Sequence, residues 1–119
     1  MILNRRLFIA VAAVTASIAG PAWAHARLVS ASPARDAVGS SPAAIRLTFS
    51  ERMVAAFSSL EVINAAGVAQ PVRVVVSDDS LTLTGTPSRR LAAGVYSVNW
   101  AIASNDGHRM TGSYRFTVR

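Results

Sequence analysis

The sequence contains no cysteine and no lysine, and it has only two histidines among 119 residues. Without cysteine there can be no disulfide framework, thiolate zinc site, iron–sulfur cluster or cysteine nucleophile. The lack of lysine excludes a Walker-type phosphate loop and a Schiff-base lysine. Two imidazoles alone are too few for a three-histidine metal site. The length is that of a single domain.

The first 24 residues have the layout of a secretory signal peptide. Arg5 and Arg6 precede an apolar run from Leu7 to Ile18, and Ala22-Trp23-Ala24 supplies the small residues of a cleavage site. We expect cleavage after Ala24, which leaves residues 25–119 as the working domain in the periplasm, with no membrane span. An uncleaved anchor is the alternative, but a permanent span takes roughly 20 apolar residues. The segment from Arg5 to Ile9 also resembles a twin-arginine export signal, so the Sec and twin-arginine routes both stay open.

The net charge of +6 raises the question of a nucleic-acid partner. Removal of Arg5 and Arg6 with the signal peptide lowers that charge to +4. The remaining arginines are scattered, and only Arg89 and Arg90 are adjacent. Nucleic-acid binders usually gather their basic groups on one stripe. We therefore expect no nucleic-acid partner.

The chain after residue 25 is predicted to be all-β. Short apolar or alternating stretches are separated by turn residues, and no segment has a sustained helical period. Seven strands of this kind are enough for a small Greek-key sandwich or barrel. We predict one domain without linker or repeat. The expected strands cover residues 28–31, 44–50, 60–63, 72–76, 81–83, 94–102 and 111–118.

Alternation predicts which side chains form the core. Ile45, Leu47 and Phe49 should face inward on one strand, and Tyr96 and its even-numbered neighbours should do so on another. The segment from Leu91 to Tyr96 looks like a tyrosine corner, in which the hydroxyl binds backbone a few residues upstream. We expect Tyr96 and Trp100 to be structural residues.

The two histidines suggest a metal site. Cleavage after Ala24 would make His25 the first residue, with both its α-amine and its imidazole Nδ1 available to one metal ion. The other histidine, His108, lies two residues after Asp106, so in extended backbone both side chains would leave the same face. Gly107 between them permits a bend. Amine, two imidazoles and one carboxylate make an N3O set that suits Cu(II), although Zn or Ni could also bind.

Simpler interpretations of these residues stay open at this point. His25 could stand at the cleavage site by chance, and the Asp106-Gly107-His108 segment could be a surface turn. Ser104, Asp106 and His108 also suggest a hydrolase triad, but a triad normally draws its members from separate segments. The metal interpretation is favoured because it accounts for both histidines at once.

Beyond these residues, the chain resembles the CopC family of exported copper-binding proteins. The resemblance implies a Greek-key β-barrel of immunoglobulin- or cupredoxin-like type and one Cu(II) ion per chain in a histidine brace. The implied ligands are His25, Asp106 and His108, and Glu51 matches a family carboxylate near the site. The matching motifs are His25-Ala26-x-Leu28, Ser32-Pro33-Ala34, Leu47-Thr48-Phe49-Ser50-Glu51, Leu91-x-x-Gly94-x-Tyr96, Trp100, Ser104-x-Asp106-Gly107-His108 and Gly112-x-Tyr114-x-Phe116-x-Val118.

Two departures from the family pattern concern the metal. Many relatives carry a second histidine where this chain has Arg27, so the brace must rely on Asp106 and His108. Only Met53 and Met110 follow the signal peptide, which argues against a separate methionine-rich Cu(I) site.

The resemblance implies a periplasmic copper carrier or buffer in copper tolerance or supply, not an enzyme. It also implies an inner-membrane partner of the CopD type, and we expect the protein itself to be a monomer. One alternative is a redox enzyme, because polysaccharide monooxygenases also use a histidine brace. Another is a metal-free β-sandwich that acts as an interaction module.

Overall fold

A computed structural model describes residues 26–119, which form two β-sheets packed face to face. A short 3₁₀ helix lies at Ala55–Phe57, and no described residue is α-helical. The predicted signal peptide and His25 lie outside the described residues. The strands are β1 (Leu28–Ser32), β2 (Val38–Gly39), β3 (Ile45–Phe49), β4 (Ser59–Asn64), β5 (Ala69–Gln70), β6 (Val72–Val76), β7 (Thr82–Pro87), β8 (Gly94–Ala103) and β9 (Arg109–Val118).

The strands divide into a four-stranded sheet of order β1-β3-β7-β6 and a five-stranded sheet of order β2-β9-β8-β4-β5. Neighbouring strands are antiparallel, except that β2 runs parallel to β9. The two sheets share no strand, so residues 26–119 form a sandwich and not a closed barrel. The expected all-β sandwich is confirmed.

The core lies between the sheets and is filled by alternate residues of the long strands. Ile45, Leu47 and Phe49 of β3 are each at most 2% exposed. Burying such a side chain stabilises the fold by roughly 1.5–3 kcal/mol. The inward set of β8 and β9 is also buried as alternation predicted, and it comprises Tyr96, Val98, Trp100, Ile102, Tyr114, Phe116 and Val118.

The two aromatic residues that the sequence marked as structural do pack in the core. The Tyr96 hydroxyl donates a 2.7 Å hydrogen bond to the Ala92 carbonyl, as a tyrosine corner requires. Trp100 meets the Phe49 ring edge-on, with the ring centroids 5.0 Å apart. It also lies across Gly112 of β9, where a Cβ atom would come within 2.2 Å of the indole ring. Gly112 therefore makes room for Trp100.

Apart from shifts of one or two residues at strand ends, the structure differs from the predicted strands in two respects. Strands β2 and β5 were not predicted, because two residues are too few to show alternation. Strand β7 was expected to end before Gly85, yet it continues to Pro87. Proline is tolerated at this position because its nitrogen has no hydrogen bond to make. On the β6 side, Pro87 is opposite Val72 in a pair that exchanges no hydrogen bonds, and on the other side β3 pairs no further than Gly85.

Candidate metal centre

A tight turn joins β8 to β9 and holds both predicted ligands of the described chain. The Ser104 N–H donates to the His108 carbonyl at 3.0 Å, and the Gly107 N–H donates to the Ser104 carbonyl at 3.0 Å. Gly107 has φ of +85°, a conformation that a residue with a side chain rarely adopts. These hydrogen bonds close the turn, so Ser104 at its beginning and His108 at its end lie next to each other.

The turn brings the Asp106 carboxylate and the His108 ring together. His108 Nδ1 lies 2.8 Å from Asp106 Oδ2, and the His108 backbone N–H donates to Oδ1 at 3.1 Å. The Ser104 hydroxyl donates a further hydrogen bond to Oδ1. Bonds from the Ser104 hydroxyl, and then from the ring and backbone N–H of His108, hold the pKa of the Asp106 carboxyl well below its usual range. The carboxyl is therefore an anion at neutral pH.

The two side chains lie together as predicted, but in the turn that the sequence offered as an alternative and not in extended backbone. Residues 105–107 form a turn and a bend instead of an extended segment, so strand alternation does not place these side chains on one face. Hydrogen bonds within the turn hold Asp106 and His108 in contact. The sequence signal for this was Ser104, two residues before the acid, which the family motif contains and which donates to Asp106.

The hydrogen-bond order in the turn does not fit a hydrolase triad. A triad needs the serine hydroxyl to donate to the histidine ring, which a carboxylate orients from its other side. Here the Ser104 hydroxyl donates to the Asp106 carboxylate and lies 3.3 Å from the His108 carbonyl oxygen. Ser104 is 8% exposed and serves to position Asp106.

The pair can offer a metal ion both oxygen and nitrogen. When the imidazole Nδ1–H donates to the carboxylate, the lone pair of the ring is on Nε2, the atom with which such a histidine binds metals. The side chains of His108 and Asp106 are 52% and 58% exposed, so an ion from solvent can reach them. The donor types fit Cu(II), which accepts imidazole nitrogen and carboxylate oxygen.

The beginning of the described chain is anchored at the same end of the sandwich. Ala26 is 3% exposed, and the next residue, Arg27, exchanges two hydrogen bonds with Ser50. The Arg27 N–H donates to Ser50 Oγ at 3.0 Å, and the Ser50 N–H donates to the Arg27 carbonyl at 3.0 Å. The chain therefore enters the core directly after residue 25, beside the end of β3.

A short segment after β3 connects this anchor to the turn. Ser50 binds Arg27, and three residues later Met53 forms a β-bridge with Ser104. Glu51, the predicted neighbour of the site, lies between these two contacts and is half-buried. The segment thus brings the chain start, Glu51 and the β8–β9 turn to one end of the sandwich.

The described residues do not by themselves make a complete metal site. Within residues 26–119, no three side chains of histidine, cysteine, aspartate or glutamate lie close enough together to hold a metal ion. Asp106 and His108 supply two side-chain donors, and the sequence predicts that the others come from His25. In this same range no helix is long and apolar enough to cross a membrane.

Comparison with known proteins adds an independent line of evidence. Residues 28–119 match the family model of the CopC domain. The chain is 36% identical to copper resistance protein C of Pseudomonas syringae pv. tomato over the whole of both chains. It superposes on the crystal structure of PcoC, a methionine-rich copper resistance protein from Escherichia coli, with a TM-score of 0.74 and 32% identity, covering 81% of this chain and all of that one.

A more distant match is to part of a larger protein. The chain is 28% identical to copper transport protein CutJ of Bacillus subtilis, and the match covers 81% of this chain but 18% of CutJ. The family match over most of the chain and the identity over its full length agree with the β-sandwich described above. The chain belongs to the CopC family.

Proposed function

We propose that this protein binds Cu(II) as cargo and carries or buffers it in the periplasm, in copper tolerance or supply. The observation that carries the proposal is the Asp106–His108 pair, which an exposed turn presents at the end of the sandwich where the chain start is anchored. Copper is proposed as the metal because the similar proteins are named as copper resistance proteins.

The proposed ligands are His25, Asp106 and His108, which together make a histidine brace. Cleavage after Ala24 would free the α-amine of His25, and a free α-amine ordinarily has a pKa of about 8, so a metal ion can displace its proton near neutral pH. Two residues after His25, the Arg27 backbone N–H is bonded to Ser50. We expect this bond to restrict the position of the amine. We place Glu51 beside the site without contact to the metal.

This arrangement supports one copper ion per chain, because every proposed ligand belongs to a single chain. A copper carrier also needs a protein that takes up or releases its cargo. We propose a CopD-type inner-membrane copper transporter as that partner. The support is that a segment similar to this chain makes up 18% of CutJ, a protein named as a copper transport protein.

The brace is tested by an N-terminal extension. We compare Cu(II) affinity and the EPR spectrum of protein beginning at His25 with those of the same protein carrying one additional alanine in front. The extension removes the amine from His25, so affinity should fall at least about tenfold and the nitrogen hyperfine pattern should change. Unchanged affinity and spectrum would exclude the brace.

A substitution in the described chain tests the metal site without the amine. His108→Ala should lower Cu(II) affinity by about 10- to 100-fold, because it removes one imidazole donor. Asp36→Asn is the control, since this exposed residue lies in the loop before β2, away from the turn. Equal affinities for the two variants would show that His108 is not a copper ligand, as the interaction-module alternative requires.

A third measurement separates a carrier from a redox enzyme. The copper-loaded protein is incubated with ascorbate and a polysaccharide, and peroxide and oxidised sugars are measured. A carrier should give no more product than free Cu(II) at the same concentration. Robust turnover that His108→Ala abolishes would make the protein an enzyme.

A further inference from the structure

Four strands lie at the edges of the two sheets, and one of them differs from the rest. An edge strand offers unpaired backbone groups, and proteins usually blunt it by shortness, bulges, proline or charge. Strands β2 and β5 have two residues each, and β1 has an irregular register between Leu28 and Ser30. Strand β6 pairs with β7 over five residues without a shift, has no proline, and carries a single charge at Arg73.

The outward-facing backbone groups of β6 follow from its two flanking contacts. The Ser77 N–H donates to the Thr82 carbonyl at 2.9 Å, and the Ser88 N–H donates to the Pro71 carbonyl at 2.9 Å. Bonded pairs alternate along an antiparallel ladder, so residues 73 and 75 also bond to β7. The N–H and C=O groups that face away from β7 belong to Val72, Val74 and Val76.

We propose that β6 pairs antiparallel with β6 of a second copy of this chain. A two-fold axis beside Val74 would place Val74 opposite Val74 of the second copy and Val72 opposite Val76. Each outward N–H of one copy would then face an outward C=O of the other. The two four-stranded sheets would join into one sheet of eight strands. Arg73 of one copy would face Val75 of the other, and the two arginines would not stand opposite each other. Val75 is 50% exposed and would gain this contact.

Charges at the two ends of β6 complement each other under this symmetry. The turn after β6 carries Asp78 and Asp79, and Arg89 and Arg90 follow Ser88, which pairs with the residue before β6. Antiparallel pairing brings residue 78 of one copy level with residue 70 of the other. The exposed acidic turn of each copy would therefore approach the exposed arginine pair of its neighbour. Exposed charges attract most at low ionic strength, so salt should weaken the dimer.

The dimer is independent of the proposed copper site. Asp106 and His108 lie on the β8–β9 turn in the five-stranded sheet, whereas β6 lies at the edge of the other sheet. Five-residue strands make a small contact, so the dimer should form as concentration rises. The monomer expected from the sequence would be the dilute state.

Sedimentation velocity of the purified protein, without copper and at low salt, tests the proposal. From micromolar to millimolar concentration, the mass should rise from one chain to two. Val74→Lys would set two ammonium groups against each other at the two-fold axis and should raise the dissociation constant at least about tenfold. Val95→Lys is the matched control, because Val95 on the five-stranded sheet is 41% exposed and Val74 is 36% exposed.

A second pair of measurements does not depend on how well Val74→Lys folds. Asp78→Arg should weaken the dimer and reverse its salt dependence, because like charges then meet at both ends. Amide exchange at Val74 should slow as concentration rises, while exchange at Val75, already bonded to β7, should not. A single-chain mass at millimolar concentration overturns the proposal. The proposal is also overturned if Val95→Lys raises the dissociation constant as much as Val74→Lys does. It is likewise overturned if the rate of amide exchange at Val74 does not change with protein concentration.

Discussion

Strand β8 has the tyrosine corner at one end and the turn with the candidate copper ligands at the other, and both ends rely on hydrogen bonds between residues close in sequence. The Tyr96 hydroxyl is buried and reaches backbone four residues upstream. Asp106 and His108 also bond within a few residues, yet more than half of each side chain is exposed. The buried end stabilises the fold, whereas the exposed end holds a carboxylate and an imidazole at the surface, where we propose that copper binds. Substitutions at the two ends should therefore separate stability from copper binding.

The largest loss of stability is expected at the corner end. Phe116 is 2% exposed and stacks on Tyr96 with ring centroids 5.6 Å apart, so Phe116→Ala should lower the free energy of unfolding by about 3–5 kcal/mol. Denaturant titration measures this loss. Cu(II) affinity of the molecules that remain folded should be unchanged. A copper affinity that falls in proportion to stability would show that the two ends are coupled.

Removal of the corner hydrogen bond should have a smaller effect. Tyr96→Phe keeps the ring and deletes the hydroxyl that donates to Ala92, which should cost about 1 kcal/mol. Chemical denaturation again provides the measurement, with copper binding as the control. An unchanged free energy of unfolding would mean that the hydrogen bond adds nothing to the stability of this end.

Tyr114 offers a contrast with Tyr96 within the same core. Its hydroxyl is buried without a hydrogen-bond partner among the described residues, and burial raises the pKa of Tyr114 to about 12. Tyr114→Phe should therefore leave stability unchanged or raise it by up to about 1 kcal/mol, because no bond is lost. A loss comparable to that of Tyr96→Phe would show that the hydroxyl has a partner in solution.

The same tyrosine predicts a pH dependence of stability. In the unfolded chain the phenol ionises near pH 10, whereas in the folded protein it stays neutral to about pH 12. The unfolded state therefore gains stability first as pH rises, and the free energy of unfolding should fall between pH 10 and pH 12. Tyr114→Phe should reduce that slope. Equal slopes for the two proteins would contradict the prediction.

The smallest effect on stability, with a clear effect on copper, is expected at the turn. Asp106→Asn keeps an oxygen that can accept from Ser104 and from the His108 N–H, but it removes the negative charge. The thermal unfolding midpoint should barely change because the group is exposed, while Cu(II) affinity should fall about 10- to 100-fold. Calorimetric titration against Asp36→Asn measures the difference. If Asp106→Asn greatly lowered the unfolding midpoint and left Cu(II) affinity unchanged, the turn would contribute to stability and not to copper binding.

Much of the fold could be predicted from local sequence pattern. The alternation around Leu47 and along β8 identified the buried faces, because side-chain direction repeats every two residues in any strand. The corner at Tyr96 was also predicted correctly from a few adjacent residues. Strand β2 could not be predicted, since its two residues become a strand only by pairing with Thr117 and Val118.

The contact between Asp106 and His108 was predictable, but the way in which the turn holds them was not. Asp106 and His108 were correctly expected to meet, but the turn that joins them depends on Ser104 and on Gly107 at positive φ. Alternation assumes extended backbone, so it cannot describe such a turn. The placement of His25 and the cleavage after Ala24 remain predictions, since both lie outside the described residues.

Local periodicity and side-chain chemistry in the sequence were enough to specify the all-β class, the inward faces of the strands and the candidate copper ligands. The tertiary structure was needed to show that the Asp106–His108 turn and the start of the described chain at Ala26 lie at one end of the sandwich. Arg27 meets Ser50, and Met53 meets Ser104, through pairings between distant parts of the chain. Such pairings depend on how strands that are distant in sequence assemble, within a sheet for Arg27 and Ser50 and between the sheets for Met53 and Ser104, and local pattern contains no information about them.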